Sequence, residues 1–330
     1  MHGTVLNRSR QTLFDDKAII ASDVGVLRTE NQDRVAVLRV SDGPRPFVCF
    51  ALSDGMGGMK DGGPCATVTI AAFFSSLIAA SEIEPQRRLH MSTNVANEAV
   101  HRQWQGRGGA TLSAILIEGS NSVYVSNVGD SRVYALDAEW TRLRRLTVDD
   151  NLKEAFGGAD RGLVQFIGIG KSLVPNVQHV PPGSDSFFIT SDGAHYFDEK
   201  IFEQLLVHAT EPLRATDRLL ALARWLGGPD NASVAALTLS NLMNKLGRES
   251  GSLPTVWSGH SQLHLQRFET KAPTSDSPPS QTATDEQDRP VAAKPRTVGK
   301  RKIRLSKKAA QGDQLEIKIS SDEGEDAADS

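Results

Sequence analysis

Cysteine is scarce: Cys49 and Cys65 are the whole complement in 330 residues. A disulfide-stapled scaffold is thereby excluded, and a reducing compartment suits the composition. Cys49 lies inside an apolar run, so the role expected for it is that of a buried, inert thiol. Neither charge sign dominates, since 37 Lys and Arg stand against 40 Asp and Glu for a net charge of -3. No global electrostatic pull on nucleic acid follows from that balance. Long apolar runs are missing as well. The longest, near Ile70–Ala80, is interrupted by Ser75 and Ser76 and falls short of the roughly 20 residues that cross a bilayer. The N-terminus, MHGTVLNRSRQTLFDDK, lacks an apolar signal segment. Histidines and cysteines with zinc spacing are also missing, as are internal repeats. The expectation is a cytoplasmic protein without a membrane span.

What is present divides the chain in two. Up to about residue 245, apolar strands and amphipathic helices follow one another. Beyond it, APTSDSPPSQTATDEQDRP is too polar to offset its ordering entropy. KPRTVGKRKIRLSKK then carries eight Lys or Arg over residues 294–308, and residues 313–329 are acidic. We expect one folded domain over 1–245 and a disordered charged tail over 246–330. The basic block suits an acidic partner or nucleic acid, although a solvated flexible segment is the commoner meaning of such a run. LEIKI alternates apolar residues and suits addition of a strand to a partner's sheet edge.

Within the domain, Ala18–Val24, Arg34–Val40 and Phe47–Ser53 read as strands. TVTIAAFFSSLIAA and NVANEAVHRQW read as helices with wide apolar faces. ATLSAILIEG, SVYVSNVG, SRVYALDA and WTRLRRLT follow with turns every eight to twelve residues, the rhythm of an antiparallel meander. SFFITSDG is another strand, and two helices precede a closing strand in ASVAALTLS. Elements in this order predict an α+β layered sandwich rather than a doubly wound parallel sheet.

Five aspartates stand beside glycine or at strand ends: Asp33, Asp54, Asp130, Asp192 and Asp230. Each alone reads as a turn residue or a helix cap. Should the strand ends converge, the carboxylates would repel one another unless hard divalent cations sat among them. A glycine next to a ligand also lets a backbone carbonyl reach an ion.

The order of these segments resembles one family. SDVGVLRTENQDR, ALSDGMGG, GGATLSAILI with VYVSNVGDSRVYAL, FFITSDG and GGPDNASVAAL resemble, over roughly Ile19–Leu239, the metal-dependent serine/threonine protein phosphatases of the type 2C class. This is the PPM family, in its bacterial form. The resemblance implies a four-layer α/β/β/α sandwich of two antiparallel sheets flanked by helices. It implies two divalent cations, Mn2+ or Mg2+, with Asp54 bridging, the Gly55 carbonyl adding a ligand, and Asp192 and Asp230 binding one ion. Asp33 would hold metal-bound water. Arg28 would hold the substrate phosphate, since its planar fork matches two phosphoryl oxygens.

The activity implied is hydrolysis of phosphoserine and phosphothreonine in a phosphorylated protein, opposing a serine/threonine kinase, by a hydroxide held between the two ions. The chain is expected to be monomeric. A phosphatase fold that binds phosphorylated partners with little turnover is the alternative, and a metal-dependent nuclease lacks a basic groove signature.

Three positions depart from the family pattern. Gln32 stands where many relatives carry Glu, and Met56 stands where eukaryotic relatives carry a histidine. Tyr196 occupies the place of the second aspartate of a third metal site, to which Asp130 would give the first. Asp198 lies nearby out of register, and His195 is within reach of the site. The segment from Val148 to Asn176 is short for the family's flap.

Overall fold

The computed structural model describes residues 8–152, 154, 162–240, 242, 253–259, 261–267 and 315–319. The chain divides into a main unit, Met1–Leu265 with Ile317–Ser330, and a second unit, Gln266–Glu316. Almost all of the second unit, the basic block at 294–308, and the acidic segment apart from 315–319 lie outside the described residues. So does the tip of the flap segment.

The first strands show why the sequence reads as it does. Three of them, β2 (Ala18–Asp23), β3 (Arg34–Val40) and β4 (Phe47–Ser53), are buried almost throughout. Successive side chains of a strand point to opposite faces. Val48, Phe50 and Leu52 enter the core between the two sheets. Phe47, Cys49 and Ala51 enter a second core under helices. With both faces covered, the strand has no solvent side to pattern, and its sequence becomes a continuous apolar run.

Two helices cover that second core: α1 (Gly62–Ala79) and α2 (Pro85–Trp104). Glu84 caps α2 by accepting from the backbone N–H groups of Gln86 and Arg87, with Pro85 at the first position. α1 begins at Gly62, five residues before the predicted TVTIAAFFSSLIAA. Its length and mean hydropathy of 1.5 would suit a bilayer, yet half of it is buried inside the protein. It is a core helix, packed on β3, β4 and α2.

The remaining strands are β1 (Arg8–Leu13), β5 (Leu112–Glu118), β6 (Ser122–Val128), β7 (Arg132–Leu136), β8 (Leu143–Arg145), β9 (Asn176–Val180), β10 (Ser186–Thr190), β11 (Ala232–Thr238), β12 (Thr255–Ser258), β13 (Gln262–Arg267) and β14 (Leu315–Ile319). A six-stranded sheet runs β1-β2-β11-β10-β7-β8, and an eight-stranded sheet runs β14-β13-β12-β3-β4-β5-β6-β9. The strand pairs are antiparallel. A third core lies between the six-stranded sheet and α3 (Asp192–His195), α4 (Glu199–Val207) and α5 (Pro212–Trp225). Three cores make four layers, α/β/β/α, the architecture that the resemblance implied.

Two expectations are corrected. The run from β5 to β8 is not one meander: β6 pairs with β5 and β9, whereas β7 pairs with β8 and β10 in the other sheet. The chain crosses between sheets at Gly129–Ser131, where Gly129 takes φ +99°. Turn rhythm cannot register such a crossing, because the spacing of turns does not say which strand each run pairs with.

The folded part also does not stop at residue 245. β12 pairs antiparallel with β3, placing Val256 opposite Leu38. Trp257 is buried in the inter-sheet core, edge-on to Phe14 with ring centroids 5.5 Å apart, and beneath the Arg39 guanidinium at 5.0 Å. Deletion after Gly247 should therefore lower the melting temperature. Losing a buried Trp alone costs about 3–5 kcal/mol, and the β3 edge is uncovered as well. An unchanged thermal transition in scanning calorimetry would contradict the pairing.

Candidate active site

The β4 strand ends at Ser53, and Asp54 follows where the chain leaves the sheet. Thr111 fastens this point from both sides. Its N–H donates to the Asp54 carbonyl at 2.8 Å, and its Oγ1 accepts from the Asp54 N–H at 2.9 Å. Ser53 Oγ donates to the Thr111 carbonyl at 2.7 Å, and Ser131 Oγ lies 2.8 Å from Thr111 Oγ1. The Asp54 segment is thus tied to the neighbour of Asp130. At Gly55 a Cβ would come within 2.3 Å of the Gly62 backbone, so only glycine fits there.

Asp33 is held by a hydroxyl network. Ser191 Oγ donates to Asp33 Oδ2 at 2.8 Å and accepts from the Ser233 N–H at 2.9 Å. Ser22 and Ser233 hydroxyls meet at 2.6 Å, and Asn31 Nδ2 donates to Ser22 Oγ at 2.6 Å. Asn231, directly after Asp230, locks the 24–33 loop. Its Nδ2 donates to the carbonyls of Val24 and Glu30, and its Oδ1 accepts from the Gln32 N–H at 2.8 Å. Sequence reasoning missed Thr111, Ser191, Ser233 and Asn231. Their only local trace is a polar residue next to a motif aspartate or inside a strand.

The electrostatics bring the five aspartates together. Burial raises the Asp54 carboxyl well above its usual range, and the charges of Asp33, Asp192, Asp130 and Asp230 add to the rise in that order. Burial likewise pushes Asp33 up to about 6, with Asp192 adding, against hydrogen bonds from Ser233 and Ser191. Asp130 is pushed up to about 7 by burial, Asp192 and Asp149. Asp192 is raised by burial and by Asp230. Asp33 Oδ1 and Asp192 Oδ1 are buried and accept no hydrogen bond. Among the described residues, no three His, Cys, Asp or Glu side chains form a ready-made ion cage. Clustered, under-bonded carboxylates fit hard cations as oxygen ligands, and such ions would relieve their repulsion.

Arg28 borders the same place. Its Nη2 donates to Asp230 Oδ2 at 2.7 Å, and its Nη1 lies 3.0 Å from where a Gly57 Cβ would stand. A cavity of about 340 Å³ adjoins, lined in part by Asp130, Arg132, Asp149, Asp192, His195 and Tyr196. His195 Nδ1 lies 2.8 Å from Thr190 Oγ1. Tyr196 donates its hydroxyl to the Ala223 carbonyl at 3.0 Å, and Asp198 caps α4 by accepting from the N–H groups of Lys200 and Ile201. Both residues near the expected third site are therefore engaged elsewhere, and only Asp130 of that set joins the cluster.

The flap segment is tied to the site through Ala110, two residues before β5. Ile167 and Ala110 exchange backbone hydrogen bonds, and Ala110 also bridges to Gly55. Asn97, buried on α2, grips Gly168 and Gly170 with three hydrogen bonds.

This fold, two face-to-face antiparallel sheets between helical layers, is that of the bacterial PPM serine/threonine phosphatases, and the resemblance drawn from the ordered motifs is borne out. The chain is similar to the serine/threonine phosphatase Stp of Listeria innocua, with 27% identity over 256 residues, 69% of this chain and 97% of that protein. The Listeria monocytogenes counterpart is 26% identical over 255 residues. Among solved structures, the serine/threonine phosphatase PstP/Ppp of Mycobacterium tuberculosis matches at 25% identity and TM-score 0.54, covering 70% of this chain and 99% of that one. A PstP catalytic domain solved with two manganese ions also matches at 25% identity and TM-score 0.54. Stp1 of Staphylococcus aureus matches at 22% identity and TM-score 0.59 over 69% of this chain. No protein-family profile matches the chain.

Proposed function

We propose that this chain is a metal-dependent protein phosphatase that hydrolyses phosphoserine and phosphothreonine. The observation that carries the reading is the cluster of Asp33, Asp54, Asp130, Asp192 and Asp230, drawn from five distant segments into one under-bonded site. Asp54, Gly55, Asp192 and Asp230 would hold two divalent cations, with manganese or magnesium the suited ions. Asp33 and Asp130 stand beside them. When bound, the cations supply an activated water and offset phosphoryl charge.

The chain's own groups do the rest. Arg28 presents a bidentate guanidinium at the rim and orients the phosphate. The Ser191–Ser233–Ser22 network keeps Asp33 turned inward and ready to accept a proton or a water hydrogen bond. Thr111 holds Asp54 against drift, so the bound phosphate meets a preset geometry. No side-chain nucleophile is required: burial pushes Cys49 above its usual range, and Cys65 is raised to about 11 by burial and Asp61. Such thiols stay protonated and unreactive at neutral pH. The substrate is a phosphorylated protein, set opposite a serine/threonine kinase in the cytoplasm, with the basic tail block suited to an acidic partner.

The test is direct. Full-length protein freed of metal by a chelator should hydrolyse p-nitrophenyl phosphate only after manganese is restored. Absence of turnover at every manganese concentration would overturn the reading.

A further inference from the structure

We propose that Asn97, on α2, is a positioning residue: by fixing the backbone at residues 167–170 it sets Asp54 and the Gly55 carbonyl for the cations. The proposal rests on the metal-dependent phosphatase reading. It adds a residue whose side-chain hydrogen bonds all go to Gly168 and Gly170.

Asn97 is only 3% exposed. Its Oδ1 accepts from the N–H groups of Gly168 at 2.8 Å and Gly170 at 3.2 Å, and its Nδ2 donates to the Gly170 carbonyl at 2.8 Å. Residues 168–170 belong to no strand. The amide therefore stands in for one, offering the acceptor and the donor that a neighbouring strand would supply. One turn further along α2, His101 Nδ1 lies 2.9 Å from the Gly168 carbonyl. The helix thus grips this stretch of backbone at two successive turns.

The gripped stretch leads straight to the site. Ile167 and Ala110 exchange backbone hydrogen bonds of 2.8 and 3.1 Å. On one side of Ala110, the Gly109 carbonyl accepts from the Met56 N–H at 3.1 Å. On the other, the Thr111 N–H donates to the Asp54 carbonyl at 2.8 Å. Gly55 lies between them and bridges to Ala110. Backbone at 54–56, 109–111 and 167 forms one short ladder. Asn97 holds its outer edge, and Asp54 and Gly55 stand on its inner edge.

No side chain cushions this ladder. A Cβ on Gly109 would come within 2.5 Å of the Phe166 ring, and one on Gly168 within 2.7 Å of the Gly108 carbonyl. Where backbone packs on backbone, a displacement is passed on rather than absorbed by a change of rotamer. A shift at Gly168 therefore reaches Gly55. Groups that orient a ligand from behind matter to a metal, and losing one typically weakens binding by about ten- to a hundredfold.

Calorimetric titration of manganese into full-length protein freed of metal tests this. Asn97→Ala is compared with Thr93→Val, a change on the same helix that removes a buried hydroxyl 2.9 Å from Ser126 Oγ. Asn97→Ala should weaken manganese by about tenfold or more, and Thr93→Val should leave its affinity unchanged. In the metal-free proteins, hydrogen exchange at the Met56, Ala110 and Ile167 amides should quicken in Asn97→Ala and not in Thr93→Val. Turnover of p-nitrophenyl phosphate by Asn97→Ala should be low at limiting manganese and recover at saturation, with KM unchanged. His101→Ala, which loses contacts only with Gly168 and Gly170, should shift manganese affinity the same way by less. It stands in if Asn97→Ala does not fold.

Unchanged manganese affinity in Asn97→Ala would overturn the proposal, and so would an equal loss in Thr93→Val, which would make the effect one of general stability. A parent protein that binds no manganese overturns the metal assignment and this proposal with it. The phosphatase reading fails separately, if the parent binds manganese and turns over no phosphoester; calorimetry and exchange then still decide the role of Asn97.

Discussion

Asp54→Asn is expected to lose at least about a hundredfold in manganese-dependent turnover and, in chelator, to melt higher than the parent protein. Both effects have one origin. Asp54 sits where the charges of Asp33, Asp192, Asp130 and Asp230 meet. Without cations this crowding opposes folding, and each unit of pKa rise corresponds to about 1.4 kcal/mol. An asparagine keeps the shape and removes one charge, so stability rises by some kcal/mol, or several degrees. With manganese present the order should reverse, since the parent gains binding free energy that the variant cannot. A variant as active as the parent, or one that melts no higher in chelator, would contradict the cluster.

The pH dependence follows with a definite sign. An acid whose folded pKa is raised favours the protonated fold. The destabilisation is absent below the unfolded value of 3.8 and complete above the folded values of about 6 for Asp33 and about 7 for Asp130. In chelator, this cluster should therefore make the protein less stable as pH rises from 4 to about 7. Saturating manganese should flatten that slope. Calorimetric scans at half-unit pH steps check it, and a metal-free protein that grows more stable from pH 4 to 7 relative to its manganese-bound form would refute the assignment.

The second large effect is expected from Arg28. Arg28→Ala should lower kcat/KM for an aryl phosphate by on the order of a hundredfold, and Arg28→Lys should not restore it, because a point charge cannot bind two phosphoryl oxygens along a fork. Manganese affinity separates two roles for this residue. Arg28 donates to Asp230 at 2.7 Å with both side chains partly in solvent. If its task is to hold phosphate, the variant frees Asp230 and binds manganese as well as before or better. Loss of manganese binding with KM unchanged would instead make it a brace for the metal loop.

Much of the architecture was readable in advance because burial writes itself into composition. β3 and β4 are found where the sequence reading placed them, β4 on its continuous apolar run and β3 on apolar residues flanked by Arg34 and Arg39. Both faces of each are covered, so no solvent-facing polar residue interrupts them. β1 was not visible, since its alternate residues are exposed or half-exposed. β9 has one buried position among five. β12 escaped because it follows a polar stretch and reaches β3 from more than 200 residues away. Local pattern carries no information about a partner that distant.

The site divides along the same line. The aspartates were legible because each ends an apolar strand beside glycine, a contrast that survives in one dimension. Thr111, Ser191, Ser233 and Asn231 were not, because short hydroxyl and amide side chains look alike in a strand, a turn or a catalytic brace. Their roles depend on partners 20 to 211 residues away. Tyr196 and Asp198 show the converse: sequence register placed them near a third site, but their hydroxyl and carboxylate satisfy the Ala223 carbonyl and the first turn of α4.

From its residues alone, then, this chain set the strand faces, the layered α+β class and the identity of the acidic groups, because hydrophobic periodicity and glycine sterics act over a few residues. Only tertiary structure decided which sheet β7 joins, how far the domain extends, which hydroxyls hold Asp33, and that Trp225 at the end of α5 stands in water. Those outcomes are set by contacts between segments remote in sequence, where free energy depends on three-dimensional distance and chain order leaves no mark.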